Sequence, residues 1–236
     1  FWAAESKDSA LAKVRELTGI RPAAHLPVPE VKSIATARQD GYSVESLVLL
    51  PEPGIELPAV LYTPEQSPSE TVIVAASEGK ISVAQDCIAL AKSGKRVLAV
   101  DLRNCGETKS SWSHGAQWEE FFGPSYKASM LAFQLNRPFI TMWAEDLLIC
   151  ARYVQNLPGA TQGKVALHTY GLIGPAALHA AAMEPSLIAS VETHGGLASW
   201  VDVVNSAEGR NHLINVVHGA LPFYDLSDLK RVIESR

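Results

Sequence analysis

The stretch KVALHTYGLIGPAALHAAAM, residues 164–183, decides the fold. KVALHTY (164–170) reads as a strand buried on both faces, and GPAALHAAAM (174–183) reads as the helix that follows it. Between them Gly171-Leu172-Ile173 leaves room for little more than a tight turn. Immediately downstream, IASVETH (188–194) is a further strand of the same kind. Upstream, the apolar runs TVIVAAS (71–77) and RVLAVDLR (96–103) enclose the helical stretch VAQDCIALAKSG (83–94). Strands that are apolar throughout, rather than alternating, belong to a parallel sheet covered on both sides. A strand, helix, strand succession of this length is a right-handed crossover unit.

The rest of the chain is arranged around this core. Residues 4–18 place apolar side chains near helical spacing, and Gly19 stands where a left-handed stop is expected. Pro22, Pro27 and Pro29 mark an extended connector. YSVESLVLL (42–50) and IELPAVLYTP (55–64), separated by the turn-like PEPG, predict an antiparallel hairpin. Residues 104–137 gather Trp112, His114, Trp118, Phe121, Phe122 and Tyr126 and read as an irregular insertion or lid. A long amphipathic helix is expected over 139–156, and helices and loops from Gly195 to Arg236. The division expected is residues 1–40 as N-terminal helix and connector, and 41–236 as one α/β domain.

The turn at 171 carries a resemblance. In α/β hydrolases the nucleophile sits on a strained strand-to-helix turn written G-x-S-x-G, which lifts the serine hydroxyl clear of the sheet. Here Thr169 takes the first glycine slot, Gly171 the serine slot and Ile173 the second glycine slot, with Gly174 and Ala177-Leu178 following. EPGIELPAVLYTP, VAASEGK, RVLAVDLRNCGET, VALHTYGLIGPAALHAA and NHLINVVHGALPFYDLSDL together resemble acetyl xylan esterase-like and prolyl-oligopeptidase-like members of the α/β-hydrolase superfamily, over roughly residues 40–230. The resemblance implies a three-layer α/β-hydrolase-like sandwich with a mainly parallel sheet and an antiparallel N-terminal hairpin. It also implies later strands bearing an Asp and a His, so the domain is expected to be C-terminally truncated: either the sequence is a piece of a longer protein or a homo- or hetero-oligomer completes the sheet. The implied function is an esterase-like hydrolase of the carbohydrate (acetyl xylan) type, degenerate at the elbow. A glycine has no side chain with which to attack a carbonyl.

Composition excludes other classes. With 47% hydrophobic and 19% charged residues and a net charge of −5, the 236-residue chain has no basic run to follow a phosphate backbone, and no nucleic-acid partner is expected. No apolar stretch approaches the roughly 18 residues of a membrane span. Cys87, Cys105 and Cys150 are too few for a disulfide framework and lack CxxC spacing, and the histidines show neither HxxxH nor HxH, so no metal is expected. The expected partner is a small-molecule or carbohydrate ester, with no organic cofactor. The chain opens at Phe1-Trp2 without an initiator Met, which is compatible with a removed leader and leaves the compartment open.

Candidate site residues lie at the C-terminal ends of the predicted strands, where open α/β sheets bind ligands. Glu192 and His194 fall on one side of a regular strand and form a candidate acid–base pair. Glu78, Gly79, Arg103, Tyr170 and Gly171 are the candidate substrate contacts, with His168 a further strand-end candidate. Ser77-Glu78-Gly79 stands where the superfamily supplies oxyanion-hole backbone donors. Two other readings remain open. One is a non-catalytic carbohydrate- or partner-binding module. The other is a dinucleotide-binding domain, because Thr169–Gly174 is nearly G-x-G-x-x-G and Glu192 ends the next strand.

Overall fold

The computed structural model describes every residue except 1, 3, 111–115, 124, 160–162 and 207–210, and the side chains of 116–118. Seven strands form one sheet: β1 (Glu30–Gln39), β2 (Tyr42–Glu52), β3 (Ile55–Pro64), β4 (Thr71–Ala76), β5 (Arg96–Val100), β6 (Val165–Tyr170) and β7 (Ile188–His194). Their order is β1-β2-β3-β5-β4-β6-β7. The first three strands and the β3–β5 pair are antiparallel. The β5, β4, β6 and β7 ladders are parallel. Every residue of β4 and β5 is buried, as their unbroken apolar sequences require.

Period-2 geometry divides the sheet's side chains between two layers. On one face Val72, Val74, Val97, Ala99 and Ala166 pack on Cys87 and Ala91 of α2 (Ala84–Lys92). On the other, Ile73, Ala75, Leu98, Val100 and Leu167 meet Leu147, Leu148 and Ala151 of α5 (Phe139–Gln155) and Ala177 of α6 (Gly174–Met183). All ten residues of α6 are buried, because α1 (Lys7–Thr18) and α8 (Leu226–Glu234) close over it. Small residues allow that crowding: Gly174 lies where an added Cβ would be 3.3 Å from Thr193 Cγ2. Layers of helix on both faces of a mostly parallel sheet make this a three-layer α/β sandwich.

Two segments differ from their sequence reading. Residues 30–39, expected within the connector, form β1, the antiparallel edge of the sheet. β1 is exposed along nearly its whole length, so no apolar alternation marked it as a strand. The segment 104–137 is not simply irregular: it contains α3 (Ala116–Phe122) and α4 (Tyr126–Gln134), with the Phe122 ring against those of Phe121 and Tyr126. Trp112, His114 and the Trp118 side chain lie outside the described residues. The remaining helix, α7 (Trp200–Asn205), is capped by Ser199. Cys87, Cys105 and Cys150 are buried free thiols. Among the described residues no helix is long and apolar enough to cross a membrane.

Candidate active site

The chain turns sharply where β6 ends. Gly171 has φ +68°, a left-handed conformation in which a side chain costs roughly 1–2 kcal/mol, and a single 3-10 turn (Gly171–Ile173) leads into α6. The strand-to-helix turn at this point therefore carries a glycine at its apex. The space a side chain would take is occupied: a Cβ built on Gly171 would stand 2.4 Å from Ser77 Oγ. The Ser77 N–H donates to Tyr170 O at 3.2 Å, which ties the end of β4 to the elbow. Gly196 closes the other side, since a Cβ there would meet Gly171 O at 2.1 Å.

Beside the elbow the loop Ser77-Glu78-Gly79-Lys80 is clasped to the turn after β5. The Lys80 N–H donates to Asp101 Oδ1 at 2.6 Å, and Lys80 Nζ donates to Asp101 Oδ2 at 2.8 Å and to Glu107. Glu107 N–H also donates to Asp101 Oδ2, at 3.0 Å. Gly79 (φ +95°) lies where a Cβ would strike the Gly106 Cα at 2.5 Å, and one on Gly106 would strike the Asp101 carboxylate at 2.4 Å. Both glycines are therefore needed for the two loops to approach so closely. Glu78 points outward and pairs with Lys109 at 3.4 Å. The Ser77, Gly79 and Lys80 N–H groups are all engaged within the protein, with Gly79 N donating to Ala76 O.

The strand register makes the second cluster. His168 of β6 stands opposite Glu192 of β7, and Tyr170 opposite His194. His194 Nε2 is 3.1 Å from Glu192 Oε1, and His168 Nε2 is 3.5 Å from Glu192 Oε2. The His194 ring stacks on Tyr170 with centroids 4.3 Å apart, and the Tyr170 hydroxyl donates to Asp86 of α2 at 2.9 Å. Burial, helped by the Asp86 hydrogen bond, pushes the Tyr170 phenol up to about 12, so it stays protonated. Burial also lowers His168 below the ordinary imidazole value and favours its neutral form. Glu192 and His194 thus meet as their spacing predicts. His168 is a strand-end candidate of the sequence, but its meeting with Glu192 was not legible, because which strand neighbours β7 is not written in either strand. The one available signal was the matching pair of period-2 patterns, His168-x-Tyr170 and Glu192-x-His194.

Arg103 belongs to a network of ion pairs on α5. Its Nε and Nη2 form a fork on Asp146 of α5 at 2.9–3.1 Å, and Nη2 also reaches Glu52 at 3.4 Å. Arg21, Arg137 and Glu145 extend the network. Burial pushes Asp146 up to about 6 against the pull of Arg103, whereas hydrogen bonding from Arg137 holds Glu52 down at about 2. Arg103 ties the turn after β5 to α5 through Nε and Nη2, both held by carboxylates.

The chain has the α/β-hydrolase fold. It superposes on a protein from Bacteroides fragilis assigned as an acetyl xylan esterase with TM-score 0.74 at 11% identity, covering 98% of this chain and 65% of that one. Acetyl xylan esterase 1 from Thermoanaerobacterium sp. gives 0.56 at 16% identity, with 98% and 71% covered. A glucuronoyl esterase from Solibacter usitatus gives 0.63 at 13% identity, with 100% and 73% covered. The chain therefore spans about two thirds to three quarters of the length of these esterases. No protein-family model matches the sequence, and comparison with curated protein sequences returns no match.

Proposed function

We propose that this chain is an esterase-like hydrolase for small or carbohydrate carboxylic esters, which activates water at the β7 end and forms no acyl-enzyme at the elbow. The observation that carries the reading is the His194–Glu192 contact of 3.1 Å beside a glycine elbow. With its Nε2–H directed at the Glu192 carboxylate, His194 keeps its lone pair on Nδ1. Nδ1 takes a proton from water as the oxygen adds to the ester carbonyl, and returns it to the departing alkoxide, leaving the acid and the alcohol. Tyr170 fixes the imidazole plane by stacking, and Glu192 stabilises the imidazolium that forms. Glu78, Gly79 and Gly171 border the ligand-facing end of the sheet and are the proposed substrate surface. Carbohydrate esters are the proposed class because the esterases that share this fold carry such names.

Incubation with p-nitrophenyl acetate followed by intact-mass measurement tests the reading. Nitrophenol release without an acetyl adduct is expected; an adduct on a serine, or no release above buffer, contradicts it. One observation favours a non-catalytic binding module instead. Ser77, Gly79 and Lys80 spend their backbone N–H groups inside the protein, which leaves fewer donors in this loop for an oxyanion.

A further inference from the structure

We infer that His168, Glu192 and His194 form a binding site for a divalent first-row metal ion of the zinc class. The ligand atoms of the three side chains all lie within 4.8 Å of one another. Four ligands placed tetrahedrally at zinc's bond lengths of about 2.0–2.1 Å stand roughly 3.3 Å apart. His194 Nε2 lies 3.1 Å from Glu192 Oε1 and His168 Nε2 lies 3.5 Å from Glu192 Oε2, so each ring nitrogen is already near that spacing from one carboxylate oxygen. For one ion to be shared, the Glu192 carboxylate, the most exposed of the three side chains, has to turn a single oxygen towards both rings.

The donor set and its support both suit a metal. Two imidazoles and one carboxylate fit zinc and its first-row neighbours better than calcium or magnesium, which prefer all-oxygen shells. Three protein ligands leave a fourth position open for water, as in catalytic rather than structural zinc sites. The ligands stand on adjacent, hydrogen-bonded strands, so their backbones are fixed by the sheet. Tyr170, itself held by Asp86, immobilises the His194 ring from behind. The site deepens the proposed function and rests on it only for its purpose: an ion on His194 Nε2 would move that ring's proton to Nδ1, and the ion, in place of the Nδ1 lone pair, would supply the activated water.

Titration of the chain with cobalt(II), read by its visible absorption, and with zinc(II), read by calorimetry, tests the inference. One equivalent of each ion is expected to bind saturably, with the cobalt spectrum of a four- or five-coordinate site. His168→Ala, His194→Ala and Glu192→Gln are each expected to weaken binding by more than about tenfold, since even outer-shell changes cost 10–100-fold. His25→Asn, on the far N-terminal segment, is expected to bind as the wild type does. Glu192→Gln alters an exposed side chain and tests the site where a histidine variant fails to fold. Absence of saturable binding, or binding unchanged in all three variants, overturns the inference. Metal binding without ester hydrolysis would leave the site standing and remove the proposed function. Hydrolysis insensitive to chelators, with no cobalt bound, would do the reverse.

Discussion

At Gly171 two penalties meet, and they can be separated by experiment. Gly171→Ala must place a Cβ at φ +68° and 2.4 Å from Ser77 Oγ. We expect a loss of roughly 2–3 kcal/mol, of which about 1–2 is backbone strain. Ser77→Ala removes the hydroxyl and leaves Ser77's own Cβ 3.5 Å away, an ordinary contact. The double variant should therefore be more stable than the sum of the singles, leaving mainly the strain; strict additivity in urea unfolding would show that Ser77 does not fill the elbow. His179 offers a second residue-scale test. Buried at the centre of α6 between Pro175 O at 2.7 Å and the Tyr224 hydroxyl at 2.8 Å, it is driven by desolvation down to about 4. Its folded pKa lies below the ordinary 6.5, so the unfolded chain binds the proton more readily. Stability is then complete above about pH 6.5 and falls by up to about 1.4 kcal/mol per pH unit towards pH 4. His179→Asn should flatten that part of the profile, and an unchanged slope would place the titration elsewhere.

Among the elements, the clasp between the loops after β4 and β5 is the joint on which the elbow depends. Lys80 and Asp101 are 7% and 1% exposed and 2.8 Å apart. Lys80→Met strands a buried carboxylate and is expected to cost about 3–5 kcal/mol, whereas Lys80→Met with Asp101→Leu should recover much of that. Unfolding midpoints that hardly move in the single variant would show the pair to be dispensable. Which elements were legible in the sequence follows from how they are buried. The reading of α6 and β7 matches their observed bounds, 174–183 and 188–194, because turn glycines and apolar runs delimit them. β1 escaped notice because its Lys32, Ser33 and Thr36 face solvent and it pairs on one side alone. Of the site, the glycine elbow and the Glu192–His194 pair were readable from local spacing. His168 and Ser77 read as strand-end positions, but the contacts of His168 with Glu192 and of Ser77 with the elbow were not readable, since sheet register between distant segments leaves no local trace.

Across the whole molecule, stability should be graded from the middle of the sheet outward. β4 and β5 are buried throughout, whereas β1 and most of β7 are exposed. Native-state hydrogen exchange should therefore be slowest in β4, β5 and β6 and fastest in β1 and β7, and equal protection in all strands would contradict this gradient. The proposed chemistry thus lies on the less protected margin of a rigid sheet, with Tyr170 and Asp86 anchoring it to the core side. The most direct test of that placement is the steady-state hydrolysis of p-nitrophenyl acetate by the wild type beside Glu192→Gln and His194→Gln. The account predicts turnover by the wild type that falls to the buffer rate in both variants. Turnover that survives both substitutions, or none in the wild type, would contradict a hydrolytic centre at the end of β7.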